Sequence, residues 1–460
     1  MLPDFIQTLL DALPENFEAP NARQVYQQVC MRVMRDPEAA VGLLRYIGGS
    51  EEHDAQTERV MRLFSSVLDE ARMAQENGKA VGTAFLSFIE QELVAQKDDV
   101  GLASGGRLLL ASCWSSAGLD VPDAVAADMS EIEATSGVSA DMEMPDLAPI
   151  IESLLANAAR GSADELLALQ TGFSEVLATL PIDARRLVVR QVVAHPKPIT
   201  GDLGCALLLD RRVECRRGAI DGLKDRLTQG ILAPELVGRL TIIRSWIIDA
   251  DTQAGIDNIV QQAMRLGDMT VGAAKAPKIH RVLSSLIDGV GGQSLAVVLQ
   301  VGGARKVAVL LIKRGFGIKD AYLVPCTSAT EQRNLVQMIS TGADMQDVSL
   351  EYVATVIALG LSDGLANTCA PAPGLIEVVE ALGLHDLRPR PASVSDIVAL
   401  VDPEGQLDAM TPQARGRLIS ASGDWDMISP MIADSWFEDS DEIADALGRS
   451  KSPSAAQKAF

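Results

Sequence analysis

A reaction centre needs groups of matched chemistry held together, and this chain signals few of them. Its four histidines, His53, His195, His280 and His385, are far apart in sequence. A histidine acting as general base needs a nucleophile within hydrogen-bonding reach, and no neighbouring residue offers one. The chain has no HExxH, no GxSxG, no Walker loop, and no GxGxxG that opens a helix after a strand. Gly289-Val290-Gly291-Gly292 has the composition of an anion-binding turn. It leads into a strand-like run, however, so no helix dipole is aimed at a phosphate. Asp288 and Asp320 flank that run and could approach each other as paired carboxylates. The six cysteines, Cys30, Cys113, Cys205, Cys215, Cys326 and Cys369, form no CxxC pair and sit in apolar contexts. Buried free thiols in a reducing cytoplasm are expected, not a disulfide frame or a zinc site. No catalytic residue, metal ligand or cofactor-binding residue is assigned, and no cofactor is expected.

Charge is the other chemical signal. The chain carries a net −22. Between Ala184 and Asp320 there are 21 Lys and Arg against 12 Asp and Glu, a balance of +9, so the remainder carries −22 − 9 = −31. Such asymmetry suits a basic surface that meets an acidic partner or nucleic acid; cations on an ordinary solvated face are the plainer reading. The candidate contacts are Arg212, Arg216, Arg217, Lys224, Arg244, Lys313, Arg314 and Lys319. Phosphate contacts would make binding salt-sensitive.

The elements that must position these residues are mostly helical, with one exception. Ser294 to Pro325 holds two strand-length apolar runs, Leu295–Val301 and Val307–Ile312, split by Gly302-Gly303-Ala304-Arg305. A Gly-Gly turn between short Val-rich runs predicts an antiparallel hairpin. Ile318–Val324 can add a third strand. Runs that are apolar on both sides need cover on both faces, so helices from before and after should pack over this island.

Around it, five segments follow. Residues 1–116 form an N-terminal helical domain, with helices over Ala22–Met34, Thr57–Met73, Lys79–Gln96 and Leu108–Trp114. Residues 117–147 form an acidic linker: Asp120 to Leu147 has eight acidic residues and no Lys or Arg. Residues 148–290 hold closely spaced helices of similar length, from Ile150–Ala158 to Lys278–Ile287, a pattern that buries a core only by stacking hairpins. Residues 291–326 are the β island. Residues 327–460 form a helical C-terminal region, in which Ser328-Ala329-Thr330-Glu331 caps a helix and Gly383 ends another. The acidic stretch Ile419–Gly448 within it carries Trp425, Trp436 and Phe437, apolar enough to dock on the body.

Leu207 to Leu223, LLLDRRVECRRGAIDGL, has Asp210 closing a turn and Arg216 six residues on, with Val213, Ala219, Ile220 and Leu223 on one helical stripe. It resembles a HEAT repeat across its inter-helix turn and second helix. A weaker copy begins at Asp249, 39 residues later, with Ile259 in register but Gly255 in place of the Arg. The resemblance implies an α-solenoid over about residues 150–290 that serves as a scaffold for protein partners and sometimes grips nucleic acid. Independently of it, Arg216 can reach a carboxylate or turn carbonyls in a stack. Arg314-Gly315-Phe316-Gly317-Ile318 resembles the start of the RNP1 signature of RNA-recognition motifs. Ile318 stands where that family wants a stacking aromatic, and no β-α-β-β-α-β order surrounds it.

No run approaches the ~20 apolar residues of a membrane span, and the N-terminus has no basic leader. The expected molecule is mostly α, with short stacked helical hairpins (HEAT-like) and a small antiparallel β hairpin or meander at about 294–325. The expected function is that of a cytoplasmic interaction or scaffold protein that binds a protein partner without contacting a membrane. A nucleic-acid-binding module using residues 184–320 is the alternative, and an enzyme with a site beside the β island is the third reading.

Overall fold

Capping and apolar spacing set the helices. The computed structural model describes residues 4–13, 22–51, 53–127, 165–267, 276–342, 345–391 and 402–421, with a few isolated positions beyond them. The expected helix over Ile150–Ala158, the acidic linker beyond residue 127 and the aromatic tail after residue 421 lie outside the described residues. Contacts divide the chain into two units: residues 1–146, 170–185 and 439–460, and residues 147–169 with 186–438.

The first unit is helical. Its helices are α1 (Asp4–Asp11), α2 (Ala22–Arg35), α3 (Pro37–Gly48), α4 (Ala55–Glu76), α5 (Ala80–Asp99) and α6 (Ser104–Ser116), followed by part of α7 (Glu165–Thr179). Asp36 accepts from the Ala39 amide and Asp54 from the Thr57 amide, so α3 and α4 start on side-chain caps. Leu43, Ile47, Leu63, Phe64, Val67 and Trp114 are buried together, and Phe64 meets Trp114 edge to face at 5.5 Å.

The second unit begins with a helical array. It consists of α8 (Ile182–Ala194, here from Arg186 onward), α9 (Pro198–Leu207), α10 (Val213–Thr228), α11 (Pro234–Ile243) and α12 (Ala250–Leu266). The helices alternate between two layers: α9 packs on α10 and α11, and α12 on α10 and α11. Gly218 and Gly222 of α10 let it lie against α8, since a Cβ on Gly218 would come 2.5 Å from the Arg186 carbonyl. The stripe Thr252, Ile256, Ile259 and Ala263 buries α12, and Asn258, Gln261 and Gln262 on its far side are exposed.

The array leads into a five-stranded antiparallel sheet of order β4-β3-β2-β1-β5: β1 (Lys278–Ser285), β2 (Gly292–Val301), β3 (Ala304–Lys313), β4 (Gly317–Cys326) and β5 (Met345–Asp347). The meander and its Gly302-Gly303 hairpin form as the apolar runs predict, with Val301 paired to Ala304. The edge strand β4 carries Pro325, which has no amide to offer and so suits an edge.

Both faces are covered, as two-sided apolar strands demand. Helix α13 (Ala329–Gly342) places Leu335, Val336 and Ile339 against Leu283, Ala296, Val298 and Val307. Helices α14 (Leu350–Ala366) and α15 (Leu375–Leu382) pack on β4 from the other side, and α14 brings Gly360 against Ile312 and Ile318. These three helices all follow the β1–β4 meander in the chain, whereas cover from both directions was expected. The short exposed helices α16 (Gln406–Ala409) and α17 (Pro412–Ala421) come last.

One element reverses its expected type. Lys278–Ser285 is a strand, not the helix that the spacing of Lys278–Ile287 predicts. It pairs with β2 from Lys278↔Gln300 to Ser284↔Leu295, with a bulge between Ile279 and Arg281. The bulge breaks the period-two alternation that would mark a strand in sequence.

Candidate interaction surface

The turn before α10 is built from charge. The Asp210 carboxylate accepts from the Arg212 amide at 2.8 Å and from both Nε and Nη2 of Arg212 at 2.9 and 2.7 Å. Arg216, one turn into the helix, donates to the Asp210 and Arg211 carbonyls at 2.9 and 2.7 Å and lies 3.6 Å from the Asp249 carboxylate. Asp249 in turn caps α12 by accepting from the Asp251 amide and the Thr252 hydroxyl. The Thr252 hydroxyl, ahead of the Asp251 amide and Arg216, holds the Asp249 carboxyl below the ordinary aspartate range. Arg216 thus joins two successive turns of the array.

A second ladder runs along the outer layer. Arg186 bonds Asp221 and Arg190 bonds Asp225, each pair 35 residues apart. Arg217 reaches Asp251, 34 residues on. Between them opens a cleft of about 360 Å³ lined by Arg186, Arg217, Asp221, Lys224, Asp251 and Asn258. Among its described cations Lys224 is the one with no carboxylate partner.

The remaining assigned residues lie elsewhere. Arg244, after α11, forks onto Asp257 of α12, which lowers the Asp257 carboxyl through that hydrogen bond. Lys313 is buried at the end of β3. Arg314 starts the β3–β4 turn, where its amide donates to the Gly291 carbonyl. Lys319 sits 5.7 Å over the Phe316 ring. Five of the eight thus lie in the array and three at the β3–β4 end of the sheet. Arg212, Arg216, Arg217 and Arg244 each hold a carboxylate of this chain. The signal that the sequence withheld is the set of partners brought by the next helix, Asp249, Asp251 and Asp257.

The candidate reaction groups resolve into structural ones. Asp288 fills the glycine turn itself, accepting from the Val290 and Gly292 amides at 3.1 and 2.6 Å, so that turn is closed to an outside anion. Asp320 pairs with Leu311 across the β3–β4 ladder, and burial raises its carboxyl. No hydrogen bond joins Asp288 to Asp320 among the described residues. Phe316 lies in a turn between Gly315 and Gly317, both at positive φ, and not on a strand where a base could stack. His280 is an exposed residue of the β1 bulge. Burial pushes the Cys30, Cys113 and Cys205 thiols up to about 12, far from a reactive thiolate. No cluster of three or more potential metal ligands occurs among the described residues. No described helix is long and apolar enough to cross a membrane.

Fold and surface together define a mostly α-helical chain whose array precedes a helix-covered antiparallel meander. Three domain models of one family match it: the uncharacterised protein y4lR N-terminal domain over residues 3–122, the y4lR second domain over 181–267, and the y4lR C-terminal helical domain over 395–460. A protein of Sinorhizobium fredii (strain NBRC 101917 / NGR234), described as uncharacterized protein y4lR, is 31% identical over 400 residues, covering 86% of this chain and 75% of that one. The chain belongs to the y4lR family. The second match spans α8 to α12, and the sheet falls between the second and third. No solved structure matches.

Proposed function

We propose that this chain is an interaction protein working inside the cell, whose α8–α12 segment is a HEAT-like array that seats a segment of a protein partner. The observation that carries the reading is the cleft between the rungs of the outer ladder. It offers both signs of charge, the Asn258 amide and the unpartnered Lys224 ammonium. Mixed polar lining fixes the register of a polypeptide better than it holds a uniform polyanion. The Asp210–Arg216–Asp249 chain supports the HEAT-like part, because it ties successive turns as a stacked array needs. Free cysteines, five of the six buried, agree with a reducing compartment.

The nucleic-acid reading is weaker on the same ground. Arg212 and Arg244 are forked onto carboxylates and give up those bonds before they can take a phosphate, and Arg216 and Arg217 each lie beside a carboxylate of this chain already.

The test is site-directed photo-crosslinking in the native host. A photoreactive residue at Asn258, in the cleft, should yield a protein adduct of one discrete mass. The same residue at Val100, which is 87% exposed and outside it, should not. Arg217→Glu with Lys224→Glu should abolish the Asn258 adduct. A nuclease-sensitive adduct, or equal labelling from both positions, overturns the proposal.

A further inference from the structure

A second group of cations without carboxylate partners among the described residues lies at one end of the sheet. Register places Lys278, Gln300, Arg305 and Cys326 on one rung across β1, β2, β3 and β4. Directly paired residues share a sheet face, so Lys278 and Arg305, two strands apart, stand about 10 Å from each other on one side. Lys306, on the next rung opposite Pro325, belongs to the other sheet face at the same end. Helix α13 starts there: Gln332 donates to the Leu299 and Lys306 carbonyls at 3.2 and 2.9 Å, and Arg333 beside it is exposed. Arg333 bonds only its own helix, through the Ala329 carbonyl and the Thr330 hydroxyl. Lys278, Arg305, Lys306 and Arg333 form no ion pair among the described residues, in contrast to the array arginines. Glu331, in the first turn of α13, is bound to the Thr327 amide and hydroxyl. These cations, without ion pairs among the described residues, make a local positive surface on a chain of net −22.

We propose that this rung, with the Gly302-Gly303 hairpin tip beside it, is a docking surface for a short acidic segment of a partner protein. Its charge is local, and screening confines it to about a Debye length of 8–10 Å. A short Asp/Glu-rich peptide sees chiefly Lys278, Arg305 and Arg333, with Lys306 round the sheet end. A long polyanion or an anionic bilayer must also approach the acidic remainder of the chain, which repels it. Neither this rung nor the next, Ile279-Leu299-Lys306-Pro325, carries an aromatic ring on which a base could stack. The surface is separate from the array cleft, and either can fail without the other.

The test uses the full chain and a fluorescent poly-glutamate peptide followed by anisotropy. A single-stranded oligonucleotide and phosphatidylserine vesicles serve as comparison probes. The peptide should bind at low salt and weaken roughly tenfold or more as salt rises to physiological strength. Lys278→Glu with Arg305→Glu should weaken it at least about tenfold with unchanged circular dichroism, and Arg45→Glu, on the exposed side of α3, should leave it unaltered. If the double variant misfolds, Arg333→Glu on the surface of α13 carries the test, with a smaller loss expected. Undetectable peptide binding, equal binding by these variants, or tighter binding of the oligonucleotide or vesicles would each overturn the proposal.

Discussion

Asp249 does two jobs with one carboxylate: it caps α12 and it receives Arg216 from the preceding turn. Asn caps a helix about as well as Asp but offers no charge to a guanidinium. Asp249→Ala should therefore cost about 1–2 kcal/mol in urea unfolding, and Asp249→Asn clearly less. Because the folded carboxyl lies below its ordinary value, its contribution is intact above the unfolded aspartate value of about 3.9 and fades as pH falls through the lower folded one. The Asn variant should lose that limb of the stability–pH curve, and a curve unchanged between about pH 3 and pH 6 would refute the assignment. The role of Arg216 was legible, because an Asp followed by an Arg six residues on places the guanidinium over its own turn. The neutralisation of Arg212, Arg217 and Arg244 was not. Charge counts along the chain see cations, whereas the carboxylates that quench Arg217 and Arg244 arrive through folding from the neighbouring helix. The free cations Arg305 and Arg333 were passed over for the same reason, since nothing local distinguishes a paired arginine from an unpaired one.

Between elements, close approach is set by glycine. Ala at Gly218 would gain about 1 kcal/mol of helix propensity, but its methyl would press on the Arg186 carbonyl and on Val189 at 2.8 Å. Overpacking against backbone costs about 1–3 kcal/mol. Gly218→Ala should therefore be net destabilising by about 1–2 kcal/mol. Gly238 in α11 has open space around it, and Gly238→Ala should be neutral or stabilising by up to about 1 kcal/mol. Thermal unfolding of the two variants with opposite shifts in Tm checks the α8–α10 packing; the same sign for both would contradict it. Strands β2, β3 and β4 were readable because the Val-rich runs are short and Gly302-Gly303 and Gly315–Gly317 bracket them. Strand β1 was not, since its bulge shifts the side-chain alternation, and its partner β2 lies across the Asp288 turn whose closure depends on that carboxylate. Strand β5, three residues long, is too short for any period to show.

At the scale of the second unit, one residue joins array to sheet cover. Arg239 of α11 forks onto Glu380 of α15 at 2.6 and 2.8 Å, across 141 residues of sequence, and also holds Asp202 of α9 at 2.8 Å. All three side chains are at least two-thirds covered, so removing the guanidinium leaves two carboxylates short of water and of a partner. Arg239→Ala should cost about 2–4 kcal/mol. Arg239→Lys should recover part of it, because an ammonium cannot fork onto Glu380 and reach Asp202 with the same geometry. The pattern of the loss is more diagnostic than its size. If this clamp couples the halves, amide hydrogen exchange in Arg239→Ala should speed up in α9, α11 and α15 while β2 and β3, locked by pairing on both sides, keep their protection. Array and sheet peptides should then cross their denaturant midpoints separately, where the wild type crosses them together. Coincident midpoints in the variant would mean that the apolar contacts alone make the two one cooperative body, and that Arg239 merely decorates their boundary.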